Sequence, residues 1–379
     1  MMRLTTAGES HGKALVAILE GVPAHLQLNT DSLQRELALR QSGFGRGDRQ
    51  KLESDRVEFL SGVRNGETLG SPIAICIFNK DYENWESCMS DRACDENAMR
   101  AKSLTKVRPG HADLVGMGKF AQNDARNVLE RASARETAIR VAAGGIYRQY
   151  LAELGVEITG YVREICGVCD EKAYSFDEIL AAKNAETGML DVRLAGLAKE
   201  KIAALKADGD TAGGVAEIRV RGLKSGFGSM MTYAEKLDAR LAQGLMSIQA
   251  VKGVEIGMGF SAARVSGKDA HDEIFPCAQG GYERRTNRAG GLEGGMTNGE
   301  ELVLRLAMKP IPTLMRGLRT VDVVTGLATT AAPERSDVCA IVALETVAEA
   351  VTAQALAFAV SERLGGDTMA QVKERYAAL

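Results

Sequence analysis

A protein mixing helices with strands is what this sequence predicts, on three observations. Short apolar stretches of strand character alternate with longer stretches of helical periodicity along all 379 residues. No low-complexity linker interrupts them. A content of 45% hydrophobic and 26% charged residues is that of a soluble globular chain, not a disordered one. The length exceeds one ordinary core and implies one large or two fused units. Taken alone, the alternation points to a parallel α/β sheet.

In chain order, residues 13–22 and 56–63 read as strands, and 56–63 pairs with 71–79 across the turn signal Asn65-Gly66. Asn29-Thr30-Asp31 starts a short helix with Leu33 and Leu37 on one face. Residues 80–107 are polar and aperiodic, which at that length describes a lid over a site or a disordered loop. Asn123-Asp124 opens the strongest helical pattern, running to about Leu154 with a stripe wide enough to be buried against several elements. Residues 156–165, 215–223, 251–256 and 302–308 read as strands, and 192–207 and 233–243 as helices. A second long helix, 338–363, starts after Ser336-Asp337, and its Glu345 and Glu349 argue against a membrane span.

Net charge is −3 and aromatics are 5% of the chain, so neither a nucleic-acid surface nor an anionic membrane surface is expected. The cations are nonetheless biased, 30 Arg to 17 Lys, and guanidinium groups grip phosphate and carboxylate at two points. Glycine is in excess, 41 residues, and belongs where backbone approaches something closely or turns with positive φ. Seven scattered cysteines and no export-signal core near the N-terminus suggest reduced thiols in a cytoplasmic setting.

Several motifs are accidental matches. Gly8-Glu9-Ser10-His11-Gly12 fits a hydrolase nucleophile elbow, but seven residues cannot build the sheet that such an elbow needs before it. The fingerprint at 257–262 opens no βαβ unit, and Cys166-Gly-Val-Cys169 has no second pair or nearby His for zinc. Three clusters remain. Residues 40–49, RQSGFGRGDR, interleave Arg40, Arg46 and Arg49 with glycines, which suits a phosphate as well as it suits a solvated loop. Arg108-Pro-Gly-His111-Ala-Asp113 is followed by Arg131-Ala132-Ser133-Ala134-Arg135-Glu136, in which Arg131 and Arg135, four apart, share a helix face beside small residues. On the bland reading the same helix merely pairs its Arg with Glu130 and Glu136. The third is the Gly-rich 284–298, then Lys309-Pro310-Ile311-Pro312-Thr313 and Arg335-Ser336-Asp337. Of the four histidines, His11 and His111 sit in these contexts; His25 and His271 do not.

Together these stretches resemble the chorismate synthase family over essentially the whole chain. The resemblance is carried by GESHGKAL (8–15), GRGDR (45–49), ESDRVEFLSGVRNGETLGSPI (53–73), RPGHADLVG (108–116), ERASARETA (130–138), MSIQAVKGVEIG (246–257), RRTNRAGGLEGGMTNGE (284–300), KPIPT (309–313) and RSDVCA (335–340). It implies an α+β fold, a β-α-β sandwich in which antiparallel sheets enclose a helical core, formed by residues 1–379 as one domain and assembled as a homotetramer. It also implies a lyase that removes phosphate and a C6 hydrogen from 5-enolpyruvylshikimate 3-phosphate by anti-1,4-elimination, with reduced FMN (FMNH2) required and no net redox change. NADPH is a candidate reductant, although no dinucleotide site stands out.

By the same resemblance, Arg40, Arg46, Arg49, Arg108 and Arg135 clamp the substrate's anionic groups. Flavin contacts come from Arg131, Ala132, Ser133, Gln249, Ala250, Gly294, Lys309, Pro310, Ile311, Pro312, Thr313 and Arg335. His11 protonates the departing phosphate, His111 keeps bound reduced flavin protonated, and Asp337, helped by Ser10 and Ser133, relays the proton taken from C6. No metal is implied. Ser42, Phe44 and Val342 depart from the family pattern, but none carries a chemical role. Two other readings stay open: a flavin oxidoreductase with net electron transfer in the same pocket, and an RNA-binding module using the Arg-rich loops.

Overall fold

The computed structural model describes residues 1–47, 54–278, 280–331 and 336–379. One sheet holds four strands, β1 (Arg3–Ala7), β2 (Ala14–Glu20), β3 (Glu58–Phe59) and β4 (Ile73–Phe78), in the order β1-β2-β4-β3. A second holds five, β5 (Glu157–Ile165), β6 (Val168–Cys169), β7 (Gly214–Arg221), β8 (Val251–Ile256) and β9 (Leu302–Met308), in the order β8-β9-β7-β5-β6. Every pairing in both is antiparallel. The parallel sheet suggested by alternation is thus wrong, and the α+β sandwich is right. The helices between β4 and β5 carry the chain from one sheet to the other, whereas those at Thr30–Gln41, Val192–Ala207 and Leu237–Met246 connect strands of the same sheet without making them parallel.

The main helices are α1 (Thr30–Gln41), α2 (Asp113–Phe120), α3 (Ala125–Ala132), α4 (Thr137–Ala152), α5 (Val192–Ala207), α6 (Leu237–Met246) and α7 (Ile341–Leu364). α4 packs on β2 and β4, α7 packs on β5 and β7, and the two helices pack on each other with α1 and α6 beside them. Strand alternation supplies the inner faces: Leu15, Ala17 and Leu19 of β2 point inward and are fully buried, as are Ile218 and Val220 of β7. α1 begins where Asn29 accepts a hydrogen bond from Ser32 N (3.0 Å), and Leu33 and Leu37 are its buried face. Strand 58–59 does pair with 73–78, with Phe59 opposite Ile75. The Asn65-Gly66 turn instead closes its own small hairpin, Val63–Arg64 against Glu67–Thr68.

The α4–α7 crossing is close because glycine permits it. A Cβ on Gly144 would stand 2.4 Å from Ala350 Cβ and 2.7 Å from its Cα. α7 is, among the described residues, the one helix long and apolar enough to cross a membrane, and 83% of its apolar stretch is buried inside the fold. Its acids are paired. Lys183 Nζ lies 2.8 Å from Glu345 and 2.7 Å from Glu349, and Arg148 lies 2.8 Å from Glu349. Burial and the neighbouring Glu349 push Glu345 up, whereas Arg148 and Lys183 overcome burial at Glu349 and hold it down.

Two readings of local structure are corrected. The single helix expected from 123 to about 154 is three pieces: α3, a 3-10 turn Ala134–Glu136, and α4. Ser133 breaks it with extended backbone (φ −64°, ψ 142°) while its side chain accepts from Arg135 N at 3.2 Å. Residues 80–107 are not structureless; they form short helical turns at Lys80–Asn84, Glu86–Met89 and Glu96–Lys102, none of which buries a residue.

Gly144→Ala is expected to lower stability by roughly 1–3 kcal/mol, the cost of overpacking a close crossing. Chemical denaturation of wild type and variant checks it; an unchanged midpoint would mean that α4 and α7 can separate freely.

Candidate active site

Three helix ends and one hairpin loop meet at one end of the helical layer. The loop joins β1 to β2 and carries Ser10 and His11, turning tightly at Gly8 (φ 113°), where a Cβ would stand 2.4 Å from Ala14 O. The C-terminus of α1 brings Arg40, then Arg46. The start of α4 brings Ser133 and Arg135, and the segment before α7 brings Asp337. The N-termini of α4 and α7 add partial positive charge at that end.

Asp55 organises the guanidinium groups. Arg135 donates to it at 2.5 Å and to Asn79 Oδ1 at 2.9 Å. Arg40 donates to Asp55 (3.3 Å), Thr137 Oγ1 (2.9 Å) and Ala134 O (3.1 Å). Burial drags Arg40 down to about 10, which leaves it charged at neutral pH. Burial likewise lowers Arg46, whose partner Asp337 lies 3.1 Å away and also accepts from Gly47 N at 2.6 Å. The expected shared helix face of Arg131 and Arg135 does not exist, because the Ser133 break turns them apart. Arg131 is exposed and donates to Gly8 O and Thr6 O at 3.2 Å each, while Arg135 is buried.

Ser133 Oγ lies 3.1 Å from Ser10 Oγ. His11 is buried, with Nδ1 2.8 Å from Glu130 Oε1 and its ring stacked on Trp85 at 3.9 Å between centroids.

A second group forms around Asp113, at the start of α2. Arg108 binds it through Nε (2.9 Å) and a terminal nitrogen (3.0 Å), His111 Nδ1 contacts the same carboxylate, and Arg108 reaches Thr313 Oγ1 at 3.1 Å. Burial would raise Asp113, but hydrogen bonds from His111 and Arg108 outweigh it and hold the carboxyl well below the usual range.

The two groups belong to one circuit of contacts. From Arg131 it runs through Thr6 Oγ1 (3.1 Å) to Glu136, which accepts from Thr6 at 2.9 Å and from Gln249 at 3.5 Å. Ala250 follows, in a left-handed conformation (φ 69°) that is strained for alanine, and its carbonyl accepts from Lys309 N at 3.0 Å. Lys309 Nζ reaches Gly110 O at 2.5 Å, in the Arg108–His111 loop. On the far side Ile311 O accepts from Thr211, Ala212 N donates to Val338 O, and Val338 N donates to Gly45 O, each at 2.8 Å, closing on Arg46 and Asp337.

A family profile described as chorismate synthase matches residues 2–360. A chorismate synthase from Syntrophotalea carbinolica is 51% identical over 380 residues, covering 100% of this chain and 97% of its own. One from Geobacter metallireducens is 48% identical, covering 99% and 98%. A crystal structure of chorismate synthase superposes with a TM-score of 0.78 at 38% identity, covering 100% of this chain and 96% of that one. The chain belongs to the chorismate synthase family. It is therefore a lyase acting in the shikimate pathway, and the family in general requires a flavin.

Two buried atoms of the circuit lack a protein partner among the described residues, Arg46 Nε and Gln249 Oε1. The first is a charge-bearing donor suited to an anion, the second an acceptor suited to a ring N–H, so the residues fit both the phosphorylated substrate and the flavin of chorismate synthases. Among the described residues no group of His, Cys, Asp and Glu could hold a metal. Arg49 and Arg335 lie outside the described residues. Gly294 sits in the hairpin of Leu292–Glu293 and Met296–Thr297, whose Gly295 O accepts from Leu237 N at 2.8 Å at the start of α6.

Sequence reasoning assigned no role to Asp55, Asn79, Trp85 or Asp113, and set Glu130 and Glu136 aside as ordinary helix partners of Arg. Glu130 serves His11, and Glu136 serves Thr6 and Gln249. Both Asp113 and Asp55 stand inside stretches that carry the family resemblance, RPGHADLVG and ESDRVEF, but only the fold shows that Asp55 meets Arg135, 80 residues away.

Asp113→Asn should lower stability at neutral pH, with the gap to wild type narrowing as pH falls below about 4, the ordinary carboxylate value. The sign follows from Asp113's lowered pKa: its contribution is present above the unfolded value and lost as pH falls toward the folded one. Denaturation midpoints at pH 7 and pH 3 test this, and a constant gap would contradict it.

Proposed function

We propose that this chain performs the anti-1,4-elimination of phosphate from 5-enolpyruvylshikimate 3-phosphate in a pocket that also holds reduced FMN. What carries this reading is the pair of buried, partnerless atoms, Arg46 Nε and Gln249 Oε1, in one circuit with Ser10, Ser133 and Asp337. Reduced flavin, when bound there, would supply transient electron density to the allylic system with no net redox change.

The chain's own residues place the substrate and handle protons. Arg46, with Arg49 and Arg108, holds phosphate and carboxylates, while Arg40 and Arg135 add positive potential from behind Asp55. His11 gives a proton to the departing phosphate. His111, fastened to Asp113 and Arg108, holds a proton beside the cofactor. Asp337, with the Ser10–Ser133 pair, passes on the proton lost from C6. Arg131, Ala132, Ser133, Gln249, Ala250 and the Lys309–Thr313 segment would hold the cofactor, and the family resemblance adds Arg335. The whole chain acts as one unit, cytoplasmic and homotetrameric; exposed Met230, Met231, Tyr233 and Phe260 suit burial between copies.

The deciding assay is anaerobic turnover with reduced FMN. Chorismate is expected with the flavin still reduced, and flavin oxidised mole for mole with product would make this an oxidoreductase. A parallel run with NADPH as sole reductant reads whether the chain reduces its own cofactor. His11→Ala and His111→Ala should each cut kcat roughly 10–1000-fold, the usual range for a lost general acid. Arg46→Ala should instead weaken substrate binding about 10–100-fold, as expected for a lost charged hydrogen bond. Full turnover in both histidine variants would dismiss the acid assignments.

A further inference from the structure

Glu130 accepts hydrogen bonds from His11 twice, from Nδ1 at 2.8 Å and from the backbone N–H at 2.7 Å, while its own carbonyl accepts from Ser10 N at 2.9 Å. The carboxylate is itself buried. A carboxylate only accepts, so the proton on this side of the ring belongs to Nδ1, and Nε2 is the nitrogen left for a ligand. The indole of Trp85 covers the ring face, 26° from parallel. That indole is itself held: Nε1 donates to Asp81 at 3.0 Å, and Lys102 and Arg126 lie over the ring at 4.3 and 5.2 Å. The helical turns around Trp85 bury no residue, and these contacts help to hold the indole over His11.

We propose that Glu130 and Trp85 are the positioning residues of His11: the carboxylate pins Nδ1–H and the indole sets the ring plane, so that proton delivery runs through Nε2 alone. In that step the Nε2–H bond breaks, an O–H bond forms on the departing phosphate oxygen, and the imidazolium becomes a neutral ring whose remaining proton stays on Nδ1, hydrogen-bonded to Glu130. A glutamine at 130 could donate as well as accept, and the choice of tautomer would be lost. The inference rests on the reading of His11 as the acid.

Trp85 is the chain's only tryptophan, so its emission reports the stack without any need for turnover. An imidazole in contact quenches indole emission, and His11→Ala should raise it. Glu130→Gln should also raise it and lower kcat about 10–100-fold, within the span of general acid catalysis, with substrate KM little changed. Glu130→Asp should recover part of both. Trp85→Phe, which keeps a flat ring, should retain most of kcat, and Trp85→Ala should not. If His11→Ala loses turnover while Glu130→Gln and Trp85→Ala both retain it, the positioning roles fall and the acid reading stands. If His11→Ala itself retains turnover, both fall. A kcat loss in Glu130→Gln that is matched by a rise in KM, with emission unchanged, would also overturn the proposal.

Discussion

Everything at this site depends on keeping guanidinium groups charged while taking them out of water. Burial alone would penalise each cation by several kcal/mol, and the chain answers with carboxylates, Asp55 and Asp113 fully buried and Asp337 partly so. Asp55 serves Arg40 and Arg135, Asp113 serves Arg108, and Asp337 serves Arg46. Within these pairs four guanidinium groups share three carboxylates, an excess of positive charge set apart from Glu130 and Glu136, which bond to His11, Thr6 and Gln249. That excess, sharpened by two helix N-termini and by low local polarisability, is what a multiply charged phosphate ester requires.

The same balance explains the shape of the fold around it. α4 and α7 cross in close contact at Gly144 and Ala350. α1, packed on α4, delivers Arg40 to Asp55 and to Thr137 at the start of α4. Charged groups deeper in the sandwich, Glu345 and Glu349 against Lys183 and Arg148, are closed on themselves and leave no hydrogen-bonding atom of theirs without a partner. The circuit near His11 retains an open donor and an open acceptor. Arg305 Nε, beside Glu217 in the five-stranded sheet, is open as well, but it is the circuit that joins its open atoms to the paired serines and His111.

The interruption at Ser133 shows how a local departure from regular structure makes a site. A continuous helix would have stacked Arg131 above Arg135. With the break, one arginine turns outward to the β1–β2 loop and the other goes inward to Asp55, and the serine between them is left facing Ser10. Ala250, strained in a left-handed conformation, marks a second such point beside Gln249.

Much of this was written in the residues in order. Helical and strand segments such as 192–207, 251–256 and 302–308, the capped start of α1, and the three Arg- and Gly-rich clusters follow from period, caps and composition, because these depend on neighbours a few positions away. What only the tertiary structure decided depends on partners far apart: antiparallel rather than parallel pairing, the break in a helix whose apolar stripe reads as continuous, Asp55 beneath Arg40 and Arg135, and Trp85 upon His11. No local propensity records which carboxylate a buried cation will meet. Long-range packing settles that, since only there does the cost of desolvating one charge depend on the position of another.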